Sequence, residues 1–310
     1  MTEKDGRVFL SANGGGRSTC EISLYGGHIL SWIVDGRELL FMSSKAEIGV
    51  EGKAIRGGIP ICWPQFGGFD NVAAGAPKKK HGLVRTSNLW KVAGSAHGSE
   101  VTLRLAPDEN MKQAWRGDFA IFLRVSLDVD RLQIMFKVEN HHSSSPLEFT
   151  GALHTYFNVE DSAECRVMGL KDCVCEYGVK DKFTGDEKES RPMVSFGPGS
   201  VGYPSDGSLA HPEVENMYGS ANDEITLYAK SHCIRLTKSN WTDWVLWNIG
   251  QEKAPSMSDL GEGEHKNYVC IEAAAASRPV VVPPETSWVS FHELRYDEVA
   301  MFCTHFPFQC

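Results

Sequence analysis

The sequence lacks an excess of positive charge. Its 310 residues include 31 Lys and Arg against 40 Asp and Glu, which gives a formal net charge of −9. A protein that binds nucleic acid needs a basic face for the phosphate backbone, so this balance argues against nucleic acid as the main partner. Any cationic site in this chain must therefore be local.

Signals for export, membrane insertion and disulfide bonding are also missing. No apolar run approaches the ~20 residues of a membrane span, and no signal peptide is recognisable. The nine cysteines are an odd number without a C-x-x-C pair. We therefore predict a cytoplasmic protein with reduced thiols and no membrane partner.

Motifs for common cofactors are absent as well. The three glycines at 14–16 lack the strand–helix context and the Lys-Ser/Thr of a phosphate loop. Cys173 and Cys175 are more simply two ordinary thiols than a zinc site. No Gly-x-Ser-x-Gly elbow for a nucleophilic serine occurs. Nothing in the sequence implies a nucleotide or redox cofactor.

Helical periodicity is scarce, whereas strand periodicity is frequent. Apolar and polar residues alternate from Leu123 to Val129 and again from Leu132 to Val138, which predicts an antiparallel hairpin turning near Asp130. The segments 108–115 and 297–302 are the best helix candidates, and both are short. Successive strands without helices between them predict an all-β fold, a large antiparallel β-sandwich.

The chain shows no internal repeat and no low-complexity linker. The segment 178–222, rich in Gly, Pro, Ser and charge, is the best candidate for a long loop, but sandwiches carry such loops routinely. We therefore predict a single domain over residues 1–310.

The most unusual segment runs from Arg56 to Gly67, and His81–Arg85 follows after a basic loop. Together the two stretches mix Arg, His, Trp and Gln with four glycines and two prolines, too irregular for a helix and too polar for a core strand. Arginine suits carboxylate or phosphate oxygens because its donors are planar and always charged. The segment predicts a pocket for a small polar, anionic ligand.

Two further residues could carry acid–base chemistry. His154 lies near a predicted strand end, and its ordinary pKa of about 6.5 suits proton transfer near neutrality. A structural histidine would give the same local pattern. Glu272 lies in the apolar run 268–276, where a carboxylate is either a perturbed catalytic base or one half of a buried ion pair. The nearby Asp259, Glu262 and Glu264 are most simply solvated surface charge.

Five motifs in order resemble the aldose 1-epimerase superfamily, and within it the hexose-6-phosphate mutarotases, or glucose-6-phosphate 1-epimerases. They extend over roughly residues 20–294 and read RGGIPICWPQFG from Arg56, HGLVR from His81, ALHTYF from Ala152, VLWN from Val245 and CIEA from Cys270. The resemblance implies a galactose-mutarotase-like supersandwich, a site on the concave face of a sheet, and no metal or organic cofactor.

The resemblance also implies roles for individual residues. His154 and Glu272 take the catalytic positions, protonated His154 as acid at the ring oxygen and ionised Glu272 as base at the C1 hydroxyl. Arg56 and Arg85 take positions that bind the sugar or its phosphate. The remaining predicted binding residues are Gln65, His81, Glu215 and Trp63.

Two of these assignments carry alternatives. Trp63 either stacks on the C–H face of the sugar or packs its own loop. Glu215 and Asn216 stand where the family has Asp and Arg, a departure that predicts a different reach around the sugar hydroxyls. The implied substrate is a hexose 6-phosphate and the expected oligomeric state is a monomer.

Three other functions remain open from the sequence. One is an aldose 1-epimerase that acts on unphosphorylated sugars. Another is a non-catalytic carbohydrate-binding sandwich, although binding alone requires no acid–base pair. A glycoside hydrolase fits poorly, because that chemistry uses two carboxylates.

Overall fold

The computed structural model describes residues 1–12, 17–67, 79–94, 98–115, 118–177, 188–198, 200 and 209–298. Within these residues the chain forms three antiparallel sheets and very little helix. The predicted all-β class and the antiparallel sandwich are confirmed. Strands are numbered along the chain.

The first sheet is a meander of five consecutive strands. They are β1 (Thr2–Lys4), β2 (Arg7–Ser11), β3 (Ser18–Ser23), β4 (His28–Val34) and β5 (Arg37–Glu38). Its inward side chains, among them Val8, Ile22 and Trp32, are buried. The sheet therefore closes one part of the core and brings the segment around His28 beside the Arg56 loop.

The second sheet has nine strands in the order β15-β13-β17-β18-β21-β10-β9-β8-β7. Their bounds are β7 (Lys91–Val92), β8 (Glu100–Leu105), β9 (Phe119–Leu127), β10 (Arg131–Asn140), β13 (Arg166–Met168), β15 (Met193–Ser195), β17 (Glu224–Tyr228), β18 (His232–Ser239) and β21 (Ser287–Glu298). The predicted hairpin is the β9–β10 pair, with Leu127 opposite Leu132. Alternation along these strands gives one buried and one solvated face, as expected for an outer sheet.

The third sheet has the order β14-β16-β19-β20-β11-β6, and β12 also pairs with β20. Its strands are β6 (Ile61–Cys62), β11 (Leu147–Leu153), β12 (Tyr156–Asn158), β14 (Val174–Tyr177), β16 (Val214–Gly219), β19 (Asp243–Asn248) and β20 (Tyr268–Val282). We call it the seven-stranded sheet. It carries His154 and Glu272.

The helices are short. They are α1 (Glu109–Ala114) and α2 (Gly250–Lys253), with 3-10 turns at Tyr25–Gly27, Val84–Thr86, Ser162–Glu164, Ala254–Ser256 and Glu264–Lys266. The predicted helix over 108–115 is confirmed, and the Asp108 side chain caps it by accepting a hydrogen bond from the Met111 N–H at 2.8 Å. No helix in the described ranges is both long and apolar enough to cross a membrane.

Two local predictions need correction. The helix predicted over 297–302 is wrong at its start, because Asp297 and Glu298 end strand β21, while 299–302 lie outside the described residues. The segment 178–222 is not all loop, because it contains β15 and β16. Residues 178–187, 199 and 201–208 of that segment also lie outside the description. In the segment 178–222, strand pairing outweighs a polar, turn-rich composition.

One cluster of buried apolar side chains draws on all three sheets. Across the sandwich, the Phe149 ring of β11 lies 5.3 Å from Trp288 of β21, and Trp244 of β19 lies 5.7 Å from His292 of β21. The core therefore covers one face of the seven-stranded sheet. The opposite face of that sheet is left for a site.

Strand β20 is buried on both faces over its first half. Ile271, Ala273 and Ala275 belong to the main core, whereas Cys270 and Ala274 belong to smaller clusters on the opposite face. Successive strand residues point to opposite faces, so Glu272 points away from the core. This double burial explains the unbroken apolar run in the sequence.

A register shift bends the sheet beside Glu272. Between Phe149 and Gly151 the partners in β20 change from Val280 to Ala275. The buried Asp243 side chain accepts hydrogen bonds from the N–H groups of Ala276 and Ser277, at 2.7 and 2.8 Å, and from the Ser277 hydroxyl. Asp243 thereby satisfies backbone donors that the irregular ladder leaves free.

Candidate active site

Glu272 is the buried carboxylate of the outer face. Its side chain is 1% exposed, and it faces Val245 of the neighbouring strand β19. Small side chains cluster on the same face, namely Cys62, Ala152, Ala274 and Ala276. An apolar environment penalises an ionised carboxylate strongly, so the position favours a protonated Glu272.

His154 follows directly after β11 and is held from the backbone and from three rings. Its N–H donates to the carbonyl of Pro60 at 2.9 Å. The imidazole stacks flat on Tyr156, with centroids 4.9 Å apart at 10°. His81 and Trp247 meet it edge-on at 5.6 and 5.7 Å. The ring is therefore fixed in orientation and largely shielded from water.

His154 and Glu272 are brought together, as the sequence predicted for an acid and a base. His154 Nε2 lies 3.4 Å from Glu272 Oε1. The other polar atoms of the pair, His154 Nδ1 and Glu272 Oε2, have no hydrogen-bond partner among the described residues. Buried polar atoms without partners are costly.

The environment sets the protonation of this pair. Burial, followed by the charges of Arg56 and Arg85, lowers the pKa of His154 to about 3. Burial, followed by the charge of Glu215, raises the pKa of Glu272 well above 4.5. An ion pair would instead raise the pKa of His154 and lower the pKa of Glu272. In the free protein the proton of the pair therefore lies on Glu272, whereas the predicted catalytic step begins with it on His154.

Arg56 is positioned by a loop that only glycine can build. Gly57 and Gly58 have φ of 117° and 59°, and a Cβ on Gly58 would lie 2.2 Å from the Ile29 carbonyl. His28 Nε2 lies 2.8 Å from the Gly57 carbonyl oxygen, at hydrogen-bond distance. The arginine preceding these glycines is consequently fixed at the edge of the site.

The Arg56 guanidinium is engaged on two sides. Nε and Nη2 donate to Asp259 Oδ2 at 3.3 and 3.1 Å, and Nη1 donates to the Tyr156 hydroxyl at 2.7 Å. The two side chains of the ion pair are only 20% and 23% exposed. Asp259 is therefore an ion-pair partner of the predicted anion site, and its interpretation as solvated surface charge is wrong.

Glu264 is also ordered rather than solvated. Its carboxylate accepts hydrogen bonds from the Ser43 hydroxyl at 2.7 Å, the Ser44 N–H at 2.9 Å and the Gly261 N–H at 2.6 Å. These contacts close the acidic loop onto the segment beside Arg56. Glu262 is exposed, as expected.

Arg85 and Lys80 form the second cationic group. Arg85 lies in the 3-10 turn Val84–Thr86, and its Nη2 donates to the Lys80 carbonyl at 2.9 Å. Arg85 Nε is buried without a hydrogen-bond partner in the described part of the chain. The charges of Arg85 and Lys80 both act on the His154 pKa. They therefore lie on the His154 side of the molecule.

His81 joins these cations to the acid–base pair. It adopts φ of 61°, and its Nδ1 accepts a hydrogen bond from the Gly67 N–H at 3.2 Å. Burial, followed by the interaction with His154 and by the positive charge of Arg85, lowers its pKa well below 6.5. A neutral imidazole that accepts at Nδ1 carries its proton on Nε2. His81 is thus a fixed hydrogen-bond donor.

Strand β16 places Glu215 on the outer face and Asn216 on the core side. Glu215 is opposite Trp247 of β19, which in turn is opposite Cys270 of β20. Glu215 reaches solvent, although partial burial, followed by the charge of Glu213, raises its pKa. Asn216 is 2% exposed. Of the two departures from the family pattern, only Glu215 faces the site.

Trp63 and Gln65 do not line the site. Both are fully buried, and Trp63 packs among Trp115, Phe119 and Phe149 at 4.9 to 5.7 Å. The prediction that Trp63 stacks on a sugar is therefore wrong, and its alternative, loop packing, is what the structure shows. Gln65 likewise has no exposed surface for a substrate contact. The proline-rich motif directs both side chains inward.

Sequence reasoning missed three residues at the site: Tyr156, Trp247 and Asp259. A signal existed for Tyr156, because strand alternation places residue 156 on the same side as residue 154. Trp247 had the same kind of signal in the VLWN motif. Asp259 had none, because it lies 203 positions from Arg56. No group of three or more His, Cys, Asp or Glu among the described residues could hold a metal ion.

The sequence matches a family described as aldose 1-epimerase over residues 9–295. A relative from Cenchrus ciliaris, named “Putative glucose-6-phosphate 1-epimerase”, is 35% identical and aligns over 88% of this chain and 80% of its own. A relative of the same name from Escherichia coli K12 is 32% identical, over 85% and 82% of the two chains.

Solved structures agree on the fold. A Salmonella typhimurium protein described as a “putative mutarotase” matches with a TM-score of 0.78 and 23% identity, over 94% of this chain and 90% of that one. A protein of Synechocystis matches with a TM-score of 0.72 and 18% identity, over 96% and 97%. At these identities the likeness shows the shared architecture.

Proposed function

This chain belongs to the aldose 1-epimerase family, and on that premise we propose that it interconverts the α and β anomers of hexose 6-phosphates, as a glucose-6-phosphate 1-epimerase. The observation that carries the proposal is the contact of 3.4 Å between His154 Nε2 and Glu272 Oε1, on a sheet face bordered by Arg56 and Arg85. An acid, a base and a cationic border are what this isomerisation requires.

The reaction needs two proton transfers. Glu272, as carboxylate, removes the proton of the C1 hydroxyl, and His154, as imidazolium, gives one to the ring oxygen. The bond between C1 and the ring oxygen breaks and C1 becomes an aldehyde carbon. Rotation about C1–C2 and the reverse transfers close the other anomer. Each positioned group typically contributes about 10²–10⁴-fold.

The neutral pair of the free protein enters this cycle when the proton of Glu272 passes to His154 across the 3.4 Å contact, which gives the carboxylate and the imidazolium that ring opening uses. After ring opening, Glu272 holds the proton taken from the C1 hydroxyl and His154 is neutral, which is the distribution that burial favours. Ring closure then uses protonated Glu272 as acid and neutral His154 as base, as reversibility requires. The pair carries one proton in both distributions, so one shared proton serves both directions.

The remaining side chains orient the sugar. His81 Nε2–H is a neutral donor for a sugar oxygen, and Glu215 is an acceptor for hydroxyl groups on the outer face. Trp247, half-buried beside His154, offers an apolar ring to the C–H face of a pyranose. These roles restrain the ring so that C1 lies between acid and base.

Arg56, Arg85 and Lys80 favour a phosphorylated substrate. Asp259 compensates one of these three charges, which leaves a net positive border for a dianion. Guanidinium groups bind phosphate through paired hydrogen bonds. An aldose 1-epimerase for free sugars would not need this border. A non-catalytic binding protein would not need the buried pair.

We further propose that residues 1–310 form a single domain and that the protein is active as a monomer. All the residues named above belong to one chain, and the main core cluster draws on residues from Val8 to Leu294. The activity would therefore not depend on a partner subunit. The cytoplasmic location predicted from the sequence stays a prediction.

The test is anomer equilibration measured by NMR exchange. Glucose 6-phosphate, mannose 6-phosphate, galactose 6-phosphate and free glucose are compared side by side with the purified protein. We expect acceleration of at least one hexose 6-phosphate at a kcat/KM well above that for glucose. Equal rates for glucose and its phosphate would favour the free-sugar epimerase, and acceleration of none would leave only the binding function.

A further inference from the structure

Tyr156 touches both halves of the candidate site. Its hydroxyl accepts a hydrogen bond from Arg56 Nη1 at 2.7 Å, and its ring lies parallel to the His154 imidazole at 4.9 Å and 10°. Tyr156 is 2% exposed. The same side chain therefore contacts the anion-binding arginine and the imidazole of the acid–base pair.

Asp259 holds Arg56 from the other side. It takes the Nε and Nη2 donors of the guanidinium, whereas Tyr156 takes Nη1. Of the five N–H donors of an arginine, these contacts engage three and leave one on each terminal nitrogen. A guanidinium fixed at two edges keeps its remaining donors in a constant direction.

The acidic loop that carries Asp259 is itself tied down. Glu264 bonds to Ser43, and the Ser43 N–H donates to the Arg56 carbonyl at 3.1 Å. Glu264 also accepts from the Gly261 N–H at 2.6 Å, within the loop. The Arg56 segment and the Asp259 loop are thus joined through both backbone and side chains, which supports the clamp that Tyr156 and Asp259 form on the Arg56 guanidinium.

We propose that Tyr156 is a positioning residue that couples phosphate binding at Arg56 to the orientation of His154, with Asp259 as the second arm of the clamp. This inference rests on the proposed function. The ring of Tyr156 sets the plane of the His154 imidazole, and the hydroxyl of Tyr156 sets the direction of the Arg56 guanidinium. Binding of the phosphate end would then register C1 against the acid–base pair.

The two parts of Tyr156 can be separated by substitution. Tyr156→Phe removes only the hydroxyl, changes no charge and keeps the stacked ring. Tyr156→Leu removes both. A structural role would affect all substrates equally in either variant. A coupling role predicts that the hydroxyl matters for the phosphorylated substrate and the ring matters for every substrate.

The experiment measures KM and kcat for glucose 6-phosphate and free glucose in both variants. For Tyr156→Phe we expect the KM for glucose 6-phosphate to rise about tenfold, as when a hydrogen bond to a charged group is lost, with kcat and the rate on glucose within twofold of wild type. For Tyr156→Leu we expect kcat to fall tenfold or more on both substrates. Thermal unfolding of each variant checks that the fold persists.

Matched variants test the clamp separately. Tyr268→Phe makes the same chemical change in the neighbouring ring, 5.2 Å from Tyr156, and should leave the substrate preference unchanged. Asp259→Asn should raise the KM for glucose 6-phosphate by a smaller factor, because losing a negative charge partly offsets the lost positioning. Glu262→Gln, with the same charge change in the same loop, should have no effect.

Two outcomes would overturn the inference. An unchanged preference for glucose 6-phosphate over glucose in Tyr156→Phe would show that the hydroxyl does not position Arg56. An equal fall in kcat on both substrates in Tyr156→Phe would show a structural role. The proposed function fails differently, because in that case the wild-type protein accelerates no hexose 6-phosphate.

Discussion

The two faces of the seven-stranded sheet use the same strands for opposite purposes. On β19, Trp244 points into the core, where its Nε1 donates to the Asn222 carbonyl at 2.8 Å, whereas Trp247 lies on the outer face beside His154. On β20, Ile271 is part of the core and the adjacent Glu272 is part of the site. Adjacent residues of one strand therefore serve core packing on one face and the site on the other.

The two faces contribute differently to the free energy of unfolding. The core face gains stability because apolar area leaves water. The outer face buries a carboxylate and an imidazole whose Oε2 and Nδ1 have no partner in the described part of the chain. Such groups cost stability and are retained where binding or catalysis uses them.

The largest effect on activity is expected on the outer face. His154→Asn removes the acid that protonates the ring oxygen, so kcat for hexose 6-phosphates should fall by about 10²–10⁴-fold. NMR exchange at saturating substrate measures it, and circular dichroism checks the fold. A fall of less than about threefold would mean that the imidazole is not part of the chemistry.

On the core face the largest effect is on stability. Trp244→Ala removes a fully buried indole and should lower the free energy of unfolding by about 3–5 kcal/mol. Denaturant titration measures the loss. The folded fraction of this variant should retain its specific activity, and a selective loss of turnover without destabilisation would show that the two faces are not separate.

Trp247→Ala is the matched change on the outer face of the same strand. Because Trp247 is only half-buried, Trp247→Ala should lower the free energy of unfolding by less than Trp244→Ala does. We expect kcat/KM to fall about tenfold, mainly through KM, as the sugar loses an apolar contact. Quenching of Trp fluorescence by substrate should also weaken. Unchanged quenching would remove Trp247 from the binding surface.

A change of pH near neutrality should have the smallest effect on kcat/KM. The pair carries one proton, gains a second only as pH falls toward the His154 pKa of about 3, and loses its own above the raised pKa of Glu272. The acid limb of kcat/KM should therefore lie far below 6.5. The measurement must correct for the substrate phosphate, whose pKa is near 6. An acid limb of enzyme origin near 6.5 would contradict a neutral, buried His154.

Much of the fold follows from the sequence because strand alternation is a local signal. It predicted the β9–β10 hairpin and the acidic position inside β20. It could not predict the partner of Arg56, since Asp259 reaches it through a loop 203 positions away. It also could not predict that Trp63 packs in the core, because which side chains face the site depends on the packing of sheets.

The most direct measurement compares Glu272→Gln with wild type in turnover and thermal unfolding. Gln cannot take the C1 hydroxyl proton, so exchange of glucose 6-phosphate anomers should fall by about 10²–10⁴-fold. The folded-state pKa of Glu272 is raised, so its burial costs stability as pH rises above about 4.3. The variant should therefore melt higher than wild type at pH 7 and lose that advantage at pH 4. Exchange near the wild-type rate would contradict the assignment of Glu272 as the base.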